Sequence, residues 1–295
     1  MKHKQTGRRI KDCASDRALY GVVNALLALM MLLVAYPLLN ILSSSFSSPR
    51  AVSTGRVVLL PVEFSLLGYQ TVFAHRLIGI AYRNTIFYSL AGTLINLTMV
   101  LTCAYPLSRR DFPLRSPLMI ACLITMYFSG GLIPSYILMV QLGLINNVWA
   151  MLLPGALSVY NMILTRTYIL SNVPVELLEA SQIDGCSDAR YFTAVLLPLC
   201  KPIIAVVALY SVVGHWNSYF NALIYLNDQR LFPLQLILRQ ILISSEINPS
   251  DMGDIEGAIA KQGLSDLLKY ALIVVATAPI LCVYPFLQRF FVKGV

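Results

Sequence analysis

Charge is what this sequence has least of. Charged residues make up 12% of the chain and hydrophobic residues 57%, whereas a soluble domain carries roughly 25% charged residues. That deficit excludes an ordinary soluble domain and points to a bilayer as the solvent. There is no Gly-x-x-x-x-Gly-Lys phosphate loop and no Gly-Lys pair, so no nucleotide-driven motor is expected within the chain. No His-Glu-x-x-His occurs. The three histidines are His3, His75 and His215, and no serine stands with His215 in a nucleophile motif, so an enzyme is not expected. The six cysteines contain no Cys-x-x-Cys pair. They read as small apolar packing residues, and neither a disulfide framework, a metal site nor a bound cofactor is expected. The net charge is +8, yet no basic stripe with interleaved aromatics accompanies it, so nucleic acid is not an expected partner.

What is present is a series of long apolar runs. A spanning helix needs about 20 apolar residues, and six stretches qualify: 19–42, 85–107, the charge-free interval 116–165 divided into a third and a fourth span (the fourth at 148–168), 202–226 and 270–287. Gly130, Gly131 and Pro134 mark the end of the third. The run 19–42 is too long for a signal core and reads as a retained transmembrane helix. Backbone groups in lipid must bond within their own segment, so the spans are helices. The expected class is therefore an all-α integral membrane protein of six transmembrane helices. A basic tail, 1–18, precedes a single membrane domain, 19–295.

Lys and Arg set the orientation. Lys2, Lys4, Arg8, Arg9, Lys11 and Arg17 lie in the tail. Arg109, Arg110 and Arg115 lie in the second loop, Arg190 in the fourth, and Arg289 and Lys293 after the last span. With six spans these fall on one side, which makes both termini cytoplasmic and turns 43–80 and 227–266 outward. Leu234, Ile237, Leu238, Ile241 and Leu242 recur at helical spacing in that second outer segment. None of the fourteen acidic residues falls within a predicted span. Proton-driven carriers usually need such groups, so an ion-driven carrier is disfavoured and the energy is expected from another subunit.

The most informative polar stretch is 172–198. Pro174 suits a first helical turn, Glu176 favours the positive end of that helix, Gly185 interrupts it, and Ser187 with Asp188 is placed to cap a second helix. Within it Glu179, Ala180 and Ser181 are followed after three residues by Gly185, and after nine more by Val195, Leu196, Leu197 and Pro198. This resembles the Glu-Ala-Ala, Gly, Ile-x-Leu-Pro loop of ABC importer permeases, with Ser181 for the second Ala and Val195 for Ile. The run from Ala104 to Phe112 and the ending from Leu287 to Gly294 are similar to maltose-type carbohydrate permeases. The runs from Ser129 to Pro134 and from Gly214 to Asn221 are similar to a subgroup associated with complex oligosaccharides.

The resemblance implies a type I ABC importer permease bundle in the bacterial plasma membrane, with the catalytic ATPase in a separate subunit. Glu179, Ala180, Ser181, Asp184, Gly185, Leu197 and Pro198 would form the coupling surface. The implied partners are a second homologous permease, an ATPase dimer, an extracytoplasmic solute-binding protein, membrane lipid and a sugar or oligosaccharide. For the solute, Trp216 offers an aromatic face. Asn217 and Asn221, four apart, offer donors and acceptors on one helix face. Tyr160 and Asn161 are further candidates for the pathway.

Overall fold

Long runs without charge become helices because a helix is the one segment that satisfies its own backbone in lipid. A computed structural model of the chain describes the backbone of residues 13–245 and 255–292. The basic residues within 1–12 and at Lys293, on which the expected orientation draws, lie outside the described residues, as do the side chains of the expected ending 287–294. Among the described residues every regular element is helical. In chain order these are α1 (Ala14–Ser45), α2 (Pro49–Ser53), α3 (Leu67–Ala74), α4 (Ile78–Ser108), α5 (Arg115–Tyr127), α6 (Leu132–Gln141), α7 (Trp149–Leu152) and α8 (Val159–Asn172). There follow α9 (Val175–Ile183), α10 (Asp188–Tyr191), a π turn (Phe192–Leu196), α11 (Leu197–Leu199), α12 (Lys201–Trp216), α13 (Phe220–Tyr225), α14 (Leu234–Ser245) and α15 (Ile255–Val292).

Three stretches are long and apolar enough to cross a membrane: Ser15–Ser45, Ile78–Ser108 and Gln262–Cys282. They coincide with the expected first, second and sixth spans. Two more arise only if bent pairs count as one span each, α5 with α6 at 112° and Asp188–Leu199 with α12 at 81°. The expected third span ends at Phe128, and Gly131, at φ 85°, starts α6 in a new direction. The expected fourth span is divided. Pro154 and Gly155, the latter at φ 79°, separate α7 from α8. The expected fifth span breaks at 217–219, between α12 and α13. A charge-free interval records compatibility with lipid, not straightness, and the glycines and prolines inside it decide where the chain turns.

Contacts group the chain into two compact units, Met1–Tyr69 with Ile247–Val274, and Gln70–Glu246 with Val275–Val295. In the first, α1 is apolar on every side and its membrane-length window has no buried residue. Below it, Phe46 stacks on Phe64 at 5.8 Å, and Ser45 Oγ lies 2.7 Å from the Tyr69 hydroxyl. Helix α15 approaches the backbone of α2 through Gly263, where an added Cβ would stand 3.0 Å from the Pro49 carbonyl oxygen.

In the second unit α4 is the axis, packed on both α8 and α12. Val100, Ala104 and Leu107 of α4 meet Met162 and Ile169 of α8, and Ile203 and Val207 of α12, in one buried cluster. The polar residues of α4 reach the places where other segments are not helical. Asn84 Nδ2 donates to the Arg230 and Phe232 carbonyls at 2.7 and 3.1 Å. The Tyr88 hydroxyl donates to the Leu231 carbonyl at 2.8 Å, and Thr85 Oγ1 accepts from the Leu234 N–H at 2.7 Å. Asn96 Nδ2 donates to the Ala156 carbonyl at 3.0 Å, inside the break of the fourth span. Asn146, at φ 57°, closes the remaining turn: its Oδ1 accepts from the N–H groups of Asn227 and Asp228 at 3.0 and 2.8 Å.

One contact between α4 and α12 depends on a missing side chain. His215 donates from Nδ1 to the Ser211 carbonyl at 2.9 Å, an assignment that follows because a carbonyl only accepts. Its ring then lies over Gly92, where any Cβ would collide with the imidazole. Gly92→Leu is therefore expected to destabilise the protein by about 1–3 kcal/mol through overpacking. The check is the thermal midpoint in detergent, with the same substitution in a His215→Ala background. The loss shrinks there if the ring is the obstacle, and stays unchanged if it is not.

Candidate functional site

The polar loop is built as a helix, a left-handed turn and a second helix. Pro174 stands at the cap of α9 in extended conformation, and Glu176 lies in the first turn. The helix closes by a Schellman arrangement: the Cys186 N–H donates to the Ser181 carbonyl at 2.9 Å and the Gly185 N–H to the Gln182 carbonyl at 3.1 Å. This geometry puts Gly185 at φ 71°, a region where an L side chain costs roughly 1–2 kcal/mol. Two residues on, Ser187 Oγ accepts from the Arg190 N–H at 3.3 Å and starts α10. The chain then continues through the π turn and α11, with Leu197 partly buried and Pro198 exposed, into α12.

The outward surface of this loop is unusually bare. Glu179, Ala180, Asp184 and Gly185 are exposed, and Ile183 is 87% exposed. Ser181 is turned partly inward and donates to the Leu178 carbonyl at 2.7 Å. Leu178 and Val173 pack against the cluster of α4, α8 and α12. Thus one side of the loop is anchored in the helical core while the other presents a large apolar side chain, carboxylates and a position without a Cβ.

A second anchor holds α10. Arg109, only 13% exposed, donates through Nε and Nη2 to the two Asp111 oxygens at 2.9 and 2.5 Å. Its Nη1 pairs with Asp188 and reaches the Tyr105 hydroxyl at 3.2 Å. The bidentate fork holds the Asp111 carboxyl below its ordinary value, and the same bonds raise Arg109 further. The guanidinium therefore ties the link after α4 to the first residue of α10. Arg166 contributes on the neighbouring side, donating from Nε to the Leu107 carbonyl at 2.8 Å and so capping the last turn of α4. A cavity of about 600 Å³, lined among others by Tyr105, Arg109, Asn172, Glu176 and Glu179, lies between these helix ends. The Arg109–Asp188 pairing spans 79 residues, and no local pattern announces it.

The candidate pathway residues divide. Asn217 is the C-cap of α12 and Asn221 lies in α13 beyond the break, so they do not share one continuous helix face as their spacing implied. Trp216 is 6% exposed. Its indole N–H donates to the Ala276 carbonyl at 2.9 Å, and its ring meets Tyr82 edge-on at 6.4 Å. In this conformation the indole is packed between helices. Asn161 is also buried, at 6% exposure, whereas the adjacent Tyr160 is 56% exposed. Asn217 is exposed and Asn221 partly so.

Comparison with known proteins places this geometry. Residues 14–295 match the family described as binding-protein-dependent transport system inner membrane component. The chain is 36% identical over 285 residues to the polygalacturonan/rhamnogalacturonan transport system permease protein YtcP of Bacillus subtilis (strain 168), covering 97% of each chain. It is 39% identical over 259 residues to Protein LplC of the same organism, covering 88% of this chain and 86% of the relative. Among solved structures, a chain of a bacterial ABC transporter involved in the import of the acidic polysaccharide alginate superimposes with a TM-score of 0.83 at 33% identity, over 96% of this chain and 99% of that one.

Removing the guanidinium tests the second anchor. Arg109→Ala is expected to cost about 1 kcal/mol, because the Asp111 and Asp188 carboxylates are 62% and 65% exposed and water takes over their hydrogen bonds. It should also speed proteolytic cleavage near Gly185. Arg109→Lys restores only part of this, because an ammonium does not span Asp111 and Asp188 in the same fork geometry. Cleavage at the wild-type rate in Arg109→Ala would show that α10 is held by packing alone.

Proposed function

The chain belongs to the binding-protein-dependent transport system inner membrane component family, and from that premise we propose how its loop and helix breaks serve ATP-driven import of a saccharide. It is a permease subunit of a bacterial ABC importer, resident in the inner membrane, and is not itself an enzyme. In our reading the bent pairs and the divided fourth segment complete six spans with both termini cytoplasmic, in the arrangement of a type I importer. The division by residue is a basic tail, 1–18, and one membrane domain, 19–295. A second homologous permease completes the pathway, a solute-binding protein delivers the saccharide from outside, and a separate ATPase dimer docks from the cytoplasm.

The observation that carries this reading is the bare outer surface of the loop 172–198 above two anchors. Glu179, Ala180, Asp184 and Gly185, with Ile183 beside them, form the surface offered to the ATPase. Ser181, Leu197 and Pro198 hold the helix ends beneath it. Gly185 allows close approach because nothing stands within 4 Å of the position its Cβ would take. Closure of the ATPase pair on ATP pushes α9. Leu178, Val173 and the Arg109–Asp188 pair then carry the displacement to α4, α8 and α12. Rigid, packed elements with two discrete arrangements transmit such motion, and α4 contacts both other helices.

On the substrate side, Tyr160, Asn217 and Asn221 are the contacts we favour, while the buried Asn161 would need a rearrangement to reach a solute. Trp216 reaches a solute only if the opposite state frees it from Ala276. The relatives named for polygalacturonan, rhamnogalacturonan and the acidic polysaccharide alginate support an acidic oligosaccharide as the cargo class of this chain.

Gly185→Asp tests the docking surface. Asp is among the side chains that enter the left-handed region at least cost, so the substitution places a charge at the contact for a strain of about 1 kcal/mol in the turn. With the partner permease and ATPase co-expressed, the variant is expected to insert at wild-type level. It should retain about ten-fold less ATPase on purification, the loss that about 1.4 kcal/mol of weakened contact produces. Equal retention by both forms would move the docking surface away from Gly185.

A further inference from the structure

The amphipathic helix α14 carries a cation that no described residue neutralises. Leu234, Leu236, Ile237, Leu238 and Ile241 are buried on one side of it. On the other, Gln235 and Arg239, four apart and therefore neighbours on the helix surface, face the break between α12 and α13. Gln235 Nε2 approaches Asn217 Oδ1 at 3.4 Å. The Arg239 guanidinium lies over the Tyr219 ring, 4.9 Å from its centroid. Tyr219 meets Phe220 edge-on at 6.3 Å, and both rings are exposed. The other arginine of this region, Arg230, is bound through Nε and Nη2 to the Asp228 carboxylate. Among the described residues, Arg239 has no carboxylate partner and its N–H groups bond to no acceptor.

An exposed, uncompensated arginine is costly against hydrocarbon, so this side of α14 belongs against water or a solute. A guanidinium fixed by an aromatic face keeps its donor fork free for a planar anion and loses little entropy on binding. Two exposed rings at right angles suit the apolar faces of a sugar ring, and the amides of Asn217 and Gln235 supply donors and acceptors for hydroxyls. Resting on the reading of this chain as a permease for an acidic oligosaccharide, we propose that Arg239 is its specificity-determining residue. It receives a sugar carboxylate while Tyr219 and Phe220 bear the ring.

The test uses the complete importer in proteoliposomes, loaded with a galacturonate trimer or with the same trimer after reduction of its carboxyls to neutral alcohols. Arg239→Gln is expected to lower uptake of the acidic trimer by about ten-fold or more, the effect of losing one charge-assisted hydrogen-bonded pair. It should also erase the preference for the acidic trimer over the neutral one. Arg239→Lys keeps the charge but not the fork or the stacking, and should restore only part of the acidic uptake and of the preference. Gln240→Ala, exposed on the next position, should change neither probe. Acidic uptake at the wild-type rate in Arg239→Gln overturns the proposal. So does an equal loss of both probes that Lys fails to rescue, or a wild-type preference for the neutral trimer. If wild type moves neither trimer although its ATPase is bound and hydrolysing, the saccharide reading itself fails along with the inference.

Discussion

A peptide group within a bilayer has no water to bond, and this chain meets that constraint mainly through one helix. At two places where a neighbouring segment leaves regular structure, polar side chains of α4 receive it. Asn84, Thr85 and Tyr88 serve the backbone from Arg230 to Leu234, and Asn96 serves the break after Pro154. Each of these side chains would be expensive in lipid if unpaired. Each instead pairs backbone groups that the irregular segment leaves without a helical partner. Helix α4 is thus both the axis of packing and the source of hydrogen bonds that let the rest bend.

The same helix connects the two ends of the proposed mechanism. Its last turn is capped by Arg166 and continues into Arg109, which grips α10 beyond Gly185. Its middle meets α12 through the space left by Gly92. On the proposed mechanism, force applied at the exposed surface of α9 reaches a helix whose first half holds the backbone leading into α14. Packing of this kind transmits displacement because it is close and discrete, not because any one bond is strong.

Much of this was legible in the residues. The expected first, second and sixth spans coincide with membrane-length helices, since an uninterrupted apolar run has one stable form in lipid. The turn at Gly185 and the cap at Ser187 were legible because their chemistry is local: a left-handed residue and a hydroxyl three positions before the N–H it binds. The helix over 234–242 was legible from its period. The rest was not, for identifiable reasons. Asn217 and Asn221 looked like neighbours only under the assumption of an unbroken helix. Trp216 looked free because the Ala276 carbonyl that holds it lies 60 residues away. Helix α15 begins at Ile255, well before the expected 270, and carries the Lys269–Asp266 pair at 3.0 Å within it. Charge marks a point of contact with water, which need not be where a helix starts. The Arg109–Asp188 and Arg239–Tyr219 pairs are tertiary, and a single sequence does not display them.

Helix α1 is the opposite of α4: no residue of its membrane-length window is buried. In the order of synthesis it precedes every other described helix, and its stability in lipid waits for none of them. A segment of that kind completes its own insertion before the bundle exists, in keeping with a biogenesis that first places helices and only later associates them. What reads as an unpacked surface in space is, during assembly, an early and independent commitment to the membrane.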